Sequence, residues 1–311
     1  MLLSFREIKP FSKTLTGLTI LIFCLSTGFF LLIDNQSHPL PGADAVDYSI
    51  PKKIRYSFTI RNTTNQLVKS GLFRTWAPVK QTAAQRCERI EASCAYRIVS
   101  DDSGIQMLEF ALGDVPPYAT RLINISVHLL MSPVPNPSAL NTDELNSWLN
   151  PEKYIESDHP DLIQIARNLK ADNRQQTAKN IFEWVSGHVA YSGYVKRDRG
   201  ALYAFSRKSG DCTAYMYLFT ALCRAARIPA RGIAGYVVDE DSVLRPVEFH
   251  NWAEFYEKGR WHPADPLNGE FMENGRHRVA MRIIKASPEH PEMQFHRFQV
   301  IGDGLIAKMN N

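Results

Sequence analysis

The 311-residue chain lacks most of the compositional signals that settle a function class early. Its 36 basic and 32 acidic residues are interspersed and nearly cancel, for a net charge of +4. With no basic stripe to follow a phosphate backbone, nucleic acid is not an expected partner. Internal repeats and low-complexity tracts are absent, which excludes a repeat architecture. Cys212, His250, His262 and Asp265 show no CxxC or HxxxH spacing, so a zinc site is not favoured, and no cofactor or metal is implied. Glycine and proline are missing from residues 213–226, and charge is missing from residues 15–33. These two gaps mark a helix and an apolar segment long enough for a membrane.

Within the first gap, Tyr215, Phe219, Leu222 and Ala226 fall on one face of an α-helix that must end before Pro229. The preceding Lys208-Ser209-Gly210-Asp211 supplies a flexible glycine and a good N-cap at Asp211. Cys212 then sits in the first helical turn, near unpaired N–H groups and the positive end of the dipole. Both favour thiolate over thiol, and the same N–H groups can stabilise an oxyanion. A buried structural thiol is the alternative fate of a free cysteine, and it fits Cys223 in mid-helix.

Residues 247–257 alternate like a strand, with His250, Trp252 and Glu254 on one face. Glu257-Lys258-Gly259-Arg260 reads as a hairpin turn, and Trp261 begins the returning strand. Folding about Lys258-Gly259 sets Trp252 opposite Asp265, which makes His250 and Asp265 diagonal neighbours. Such pairs lie about 7–8 Å apart at the backbone, close enough for a His–carboxylate hydrogen bond. Asp265 before Pro266 also suits a plain turn, and His262 reads as exposed or supporting, not as the base. Cysteine, histidine and aspartate in this order are the parts of a thiol acyl-transfer site: nucleophile, proton carrier and orienting carboxylate.

These residues resemble the transglutaminase-like cysteine hydrolase superfamily. Cys212 matches its helix cysteine, His250-Asn251-Trp252-Ala253-Glu254 its strand motif, and Asp265-Pro266 its aspartate. The flanks Arg199-Gly200-Ala201-Leu202-Tyr203-Ala204 and Ala226-Arg227-Ile228-Pro229-Ala230-Arg231 resemble bacterial members. The resemblance implies Cys212 as nucleophile, His250 as general base and acid, and Asp265 as the orienting residue. It implies an α+β fold, a papain/transglutaminase-like core with the nucleophile at a helix N-terminus packed on an antiparallel sheet. Family members place an oxyanion donor before the nucleophile; Tyr191 and Tyr194 are the candidates here, with Trp252 a further possible substrate contact. Trp184 and Tyr191 also fit a packing role under the nucleophile helix. The clustered Asp and Asn of a calcium loop are absent.

Ahead of the core, Arg6, Lys9 and Lys13 precede the uncharged residues 15–33, and Asp34 follows. As a helix this run rises about 28 Å, enough to cross the hydrocarbon core with the N-terminus inside. A cleaved signal peptide is the rival; its nearest small-x-small site, Ala43-Asp44-Ala45, lies well past the apolar run. Cys24 reads as a membrane-embedded thiol. The expected organisation is therefore a cytoplasmic tail and anchor (residues 1–34), a linker (35–47) and a β-rich, antiparallel sandwich-like module (48–132). A catalytic core (138–272) and a C-terminal extension packing on it (273–311) follow. Strands are expected at residues 53–61, 105–112 and 120–130, and helices across 141–189. Cys87 and Cys94 allow a disulfide in an oxidising compartment.

The expected function is a membrane-anchored extracytoplasmic cysteine peptidase or amidase acting on peptide or protein amides. A protein-crosslinking transglutaminase and a non-enzymatic envelope interaction module are the alternatives. The cytoplasmic membrane, with the catalytic domain on its outer face, is the expected location. Nothing in the sequence speaks to oligomeric state.

Overall fold

Ile54, Tyr56, Phe58 and Ile60 are buried while the residues between them are less so, the alternation of a strand with one face on a core. They lie on β1 (Ile50–Asn62), in a computed structural model that describes residues 46–195, 197–273, 275–285 and 291–311. The expected membrane segment at residues 15–33, with Cys24, lies outside the described residues. Among the described residues no helix is long and apolar enough to cross a membrane.

After β1 come β2 (Val68–Ala77), β3 (Gln85–Ala92), β4 (Arg97–Ser100), β5 (Gln106–Val115) and β6 (Thr120–Met131). Two antiparallel sheets result. In one, β6 lies between β1 and β3; in the other, β5 lies between β2 and β4. Phe58 of the first sheet meets Phe73 of the second at 4.9 Å between ring centroids, so the two close as a sandwich.

The expected disulfide is not formed: Cys87 and Cys94 are both free thiols. Cys87 faces inward on β3, where burial pushes its thiol up to about 11. The strand runs on to Ala92 before the turn that carries exposed Cys94. That extended stretch separates the two by on the order of 15 Å, well beyond disulfide reach.

The helical part begins with α1 (Thr142–Ser147), α2 (Pro160–Asn168) and α3 (Arg174–His188). Next come β7 (Ala190–Tyr191), α4 (Ala201–Arg207), β8 (Ser209–Gly210) and α5 (Cys212–Ala225). Tyr215, Phe219 and Leu222 are buried as the spacing predicts, but so is every residue of α5 from Tyr215 through Arg224. The helix is enclosed by α2, α3 and α4 on one side and a sheet on the other. Arg224 is tolerated there because its guanidinium donates to the Ala230 and Asn150 carbonyls and pairs with Glu152.

That sheet contains β9 (Ala230–Val237), β11 (Phe249–Glu257), β12 (Arg260–Asp265), β13 (Glu270–Phe271) and β14 (Arg278–Ile284), in the order β13-β12-β11-β9-β14. A short β10 (Ser242–Val243) leaves it to pair in parallel with β1. The C-terminal extension divides. β14 completes this sheet, while β15 (Phe298–Ile301) pairs with β2 and β16 (Leu305–Met309) with β1. One apolar core accordingly runs from Phe73 and Phe110 of the sandwich to Ile233, Trp252 and Val279 of the sheet that β14 completes.

Across β9 and β11, Arg231 opposes Glu254, and their side chains pair at 2.7 Å with both nearly buried. The Trp261 ring lies under the guanidinium, 4.0 Å from centroid to Cζ. Glu254→Gln leaves that cation buried without its counter-charge and is expected to cost about 3–5 kcal/mol of unfolding free energy. The double replacement Arg231→Met/Glu254→Leu should recover most of that loss in urea denaturation. Equal stability of wild type and Glu254→Gln would show that the pair carries none of the fold.

Candidate active site

The chain reaches the nucleophile through a tight approach. Lys208 caps α4 in the left-handed region (φ 54°), and a Cβ on Gly210 would meet the Ala214 Cβ at 2.2 Å, so only glycine fits. Asp211 is the N-cap as expected. One carboxylate oxygen accepts from the Thr213 and Ala214 amides at 3.0 and 3.4 Å, and the other accepts from the Val195 amide at 2.9 Å. Asp211 thereby ties Val195 to the start of α5. Cys212 is the half-buried first residue of the helix, where its own N–H has no intrahelical acceptor. That N–H is free to donate to the oxyanion that would form on a carbonyl attacked by the sulfur.

The hairpin follows the sequence-based expectation closely. Ala253 pairs with Ala264 and Glu257 with Arg260, a register that sets Trp252 opposite Asp265. Lys258 and Gly259 both have positive φ (48° and 77°), as a two-residue type I′ turn requires. His250 Nε2 donates to Asp265 Oδ2 at 2.7 Å, with the side chains 13% and 1% exposed. The remaining ring nitrogen, Nδ1, is left for Cys212, whose side chain is also a hydrogen-bond partner of the imidazole.

Burial alone would push the imidazole pKa down. The hydrogen bonds to Asp265 and Cys212, and their charges, outweigh it and lift His250 to about 9. For Asp265, burial raises the carboxyl, but the hydrogen bond and charge of His250, the charge of Arg278 and the Asn268 amide hold it below its ordinary value. Arg278 Nη1 donates to Asp265 Oδ2 at 3.2 Å and Asn268 Nδ2 to the same oxygen at 3.0 Å. The Arg278 guanidinium also pairs with Glu270 and lies 5.4 Å from the Trp252 ring centroid.

Arg278 and Asn268 were not anticipated. Asn268 had a weak local signal, three residues past an Asp-Pro turn. Arg278 had none, because only the pairing of β14 with β9 carries it to Asp265.

Three expected contacts change character. Trp252 is 1% exposed and cannot touch a substrate; its ring fills the space beside Gly235, where a Cβ would meet it at 2.9 Å. Tyr191 and Tyr194 are 61% and 78% exposed, and neither hydroxyl has a hydrogen-bond partner among the described residues. Tyr191 therefore does not pack under α5. Trp184 does take the packing role, stacked on His188 at 4.1 Å. His262 is half-buried against the Phe255 ring, with Nε2 3.3 Å from the Glu257 carbonyl, away from Cys212.

Residues 163–266 match the family model described as the transglutaminase-like superfamily. This segment is a transglutaminase-like domain. The whole fold is similar to a candidate cysteine protease from Cytophaga hutchinsonii, at 19% identity and a TM-score of 0.60, covering 84% of this chain and 88% of that one. Similarity to the periplasmic domain of TgpA from Pseudomonas aeruginosa is weaker, at 15% identity and a TM-score of 0.38 over 68% of this chain and 87% of that one. At these identities the first likeness speaks to fold alone and the second carries no argument. No curated protein matches the chain. The transglutaminase-like domain ends before Asn268 and Arg278, so both belong to this chain's surroundings of the motif.

A histidine raised from its unfolded value to about 9 in the folded state stabilises the fold fully below the unfolded pKa, near 6.5. That contribution is lost as pH rises from there through about 9. Imidazole NMR of the full chain should show His250 titrating near 9, and Asp265→Asn should bring the midpoint back toward neutrality. Thermal stability of wild type relative to His250→Gln should fall between pH 6.5 and 9. A His250 midpoint at 6.5 or below in wild type would overturn the charge arrangement.

Proposed function

We propose that the chain is a membrane-anchored thiol acyl-transfer enzyme that hydrolyses peptide or protein amides outside the cytoplasmic membrane. Cys212 is its nucleophile, His250 its proton carrier and Asp265 the orienting carboxylate. The observation that carries the reading is the 2.7 Å His250–Asp265 contact beside a cysteine in the first turn of a buried helix. The membrane anchor rests on the uncharged residues 15–33 and their basic flank.

In this reading the Cys212 thiolate attacks the amide carbonyl carbon, and the developing oxyanion is met by the Cys212 N–H. As the tetrahedral intermediate collapses, the carbon–nitrogen bond breaks and the His250 imidazolium gives its proton to the leaving amine. A thioester on Cys212 remains. Neutral His250 then takes a proton from water as the oxygen attacks the thioester. Breakdown releases a carboxylic acid and restores thiolate and imidazolium. Asp265 keeps the ring oriented throughout and favours its charged form, helped by Asn268 and Arg278.

A crosslinking enzyme would use an amine in place of that water, and the same first step serves both. Iodoacetamide should label Cys212 well below pH 8, with at least a tenfold slower rate in His250→Ala, because a cysteine without its imidazolium is an ordinary thiol. Cys212→Ala should lower amide hydrolysis by about a thousandfold or more. Incorporation of an amine probe into a glutamine donor above the Cys212→Ala background would assign transamidation instead. Labelling indifferent to His250 would leave the interaction module as the better account.

A further inference from the structure

A cavity of about 320 Å³ opens beside the nucleophile. Its inner wall is formed by the residues that directly follow Cys212 and His250: Asn251 Nδ2 donates to Thr213 Oγ1 at 2.8 Å, and both side chains line the space. At about 30 Å³ per water it holds roughly ten waters, room for one long side chain. Neither Cys212 nor His250 lines the cavity, but each is one residue from a side chain that does, which makes it a place for a substrate residue near the reacting amide.

Its walls come largely from outside the transglutaminase-like domain. Tyr217 of α5 faces Phe249 and Phe295, and Phe295 is stacked on Trp76 of β2 with centroids 4.3 Å apart. Trp76 Nε1 donates to the His296 carbonyl at 2.8 Å, and Arg282 Nη1 to the Phe295 carbonyl at 2.9 Å. The C-terminal segment is thus held against the sandwich as a fixed aromatic wall.

The charges on this cavity do not cancel. Asp198, which accepts from the Tyr217 hydroxyl at 3.2 Å, is within electrostatic reach of Arg282, so those two offset each other. Glu152 is matched by Arg224 at 2.8 Å. His296, 4.0 Å from Asp198, adds positive charge only when protonated. Lys153 and Lys285 remain; the Lys153 ammonium is 5.1 Å from the ring of Tyr154, which lines the cavity, and that of Lys285 is 5.3 Å from the Trp148 ring, which does not. Two lysines on a cavity with aromatic walls favour a side chain with a methylene or apolar body and an anionic end.

We infer that this cavity is the specificity pocket for the acyl portion of the substrate, and that it selects an acidic residue of the glutamate type through Lys153 and Lys285. The inference deepens the proposed function and rests on it.

The test uses the full chain and peptidyl vinyl sulfones with Glu, Gln, Leu or Lys at either of the two acyl-side positions nearest the warhead, with Cys212 labelling followed by intact mass. The Glu probe should label about fivefold faster than its Gln isostere, as expected for partly exposed ion pairs, and the ratio should shrink in 1 M salt. Lys153→Gln/Lys285→Gln should bring the Glu-to-Gln ratio below twofold, and Lys153→Glu/Lys285→Glu should turn the preference toward the Lys probe. Equal Glu and Gln rates in wild type, or a ratio that survives both double variants, would overturn the pocket assignment while His250-dependent iodoacetamide labelling stands. Loss of that His250 dependence would instead sink the enzymatic reading, and this inference with it.

Discussion

Everything in the site hangs on one buried carboxylate. Asp265 is 1% exposed, and an isolated anion at that depth would neutralise itself by taking up a proton. It stays charged because three side chains converge on it: His250 from β11, its near neighbour Asn268 from the turn after β12, and Arg278 from β14. The cation on the far side adds to the larger effect of the imidazole on the near side. Arg278 needs its own support, from Glu270 and the Trp252 ring. The tryptophan of the strand motif therefore acts two steps from the chemistry, holding a guanidinium that holds a carboxylate that orients an imidazole.

The same constraint explains why the β-rich module and the catalytic core share an interior. Gly235 lets β14 approach β9 so closely that a Cβ there would meet the Val279 carbonyl at 2.1 Å. That approach delivers Arg278. The chain after β14 then returns to the sandwich as β15 and β16. The sandwich is structural backing for the catalytic sheet, and through Trp76 and Phe295 it also shapes the cavity beside Cys212. The module thus backs one wall of that cavity.

Much of the site was legible because its determinants are short-range. Asp211 capping a helix, Cys212 in its first turn, and a two-residue hairpin that sets His250 diagonal to Asp265 all follow from residues within one or two turns of each other. Face assignment along β11 was less secure. Alternation correctly groups Trp252 with Glu254, yet says nothing about whether that face meets solvent or a second layer, and here it is covered by the sandwich core. Tyr191 fits a packing role by sequence, but it ends the short strand β7 with its ring exposed. For Cys87 and Cys94, closeness in sequence left a disulfide open, and the extended strand between them closes that possibility because it spends its residues on length.

The sequence by itself determined the helix start, the hairpin register and the order of thiol, imidazole and carboxylate, since turn chemistry and capping act between near neighbours and are written in adjacent letters. Tertiary structure alone decided that Arg278 neutralises Asp265, that Trp252 is buried, that the C-terminal strands split between two sheets, and that a charged-rimmed cavity adjoins Cys212. Those outcomes depend on which distant strands pair, and strand pairing is chosen by the collective burial of one shared core, which no local pattern of residues specifies.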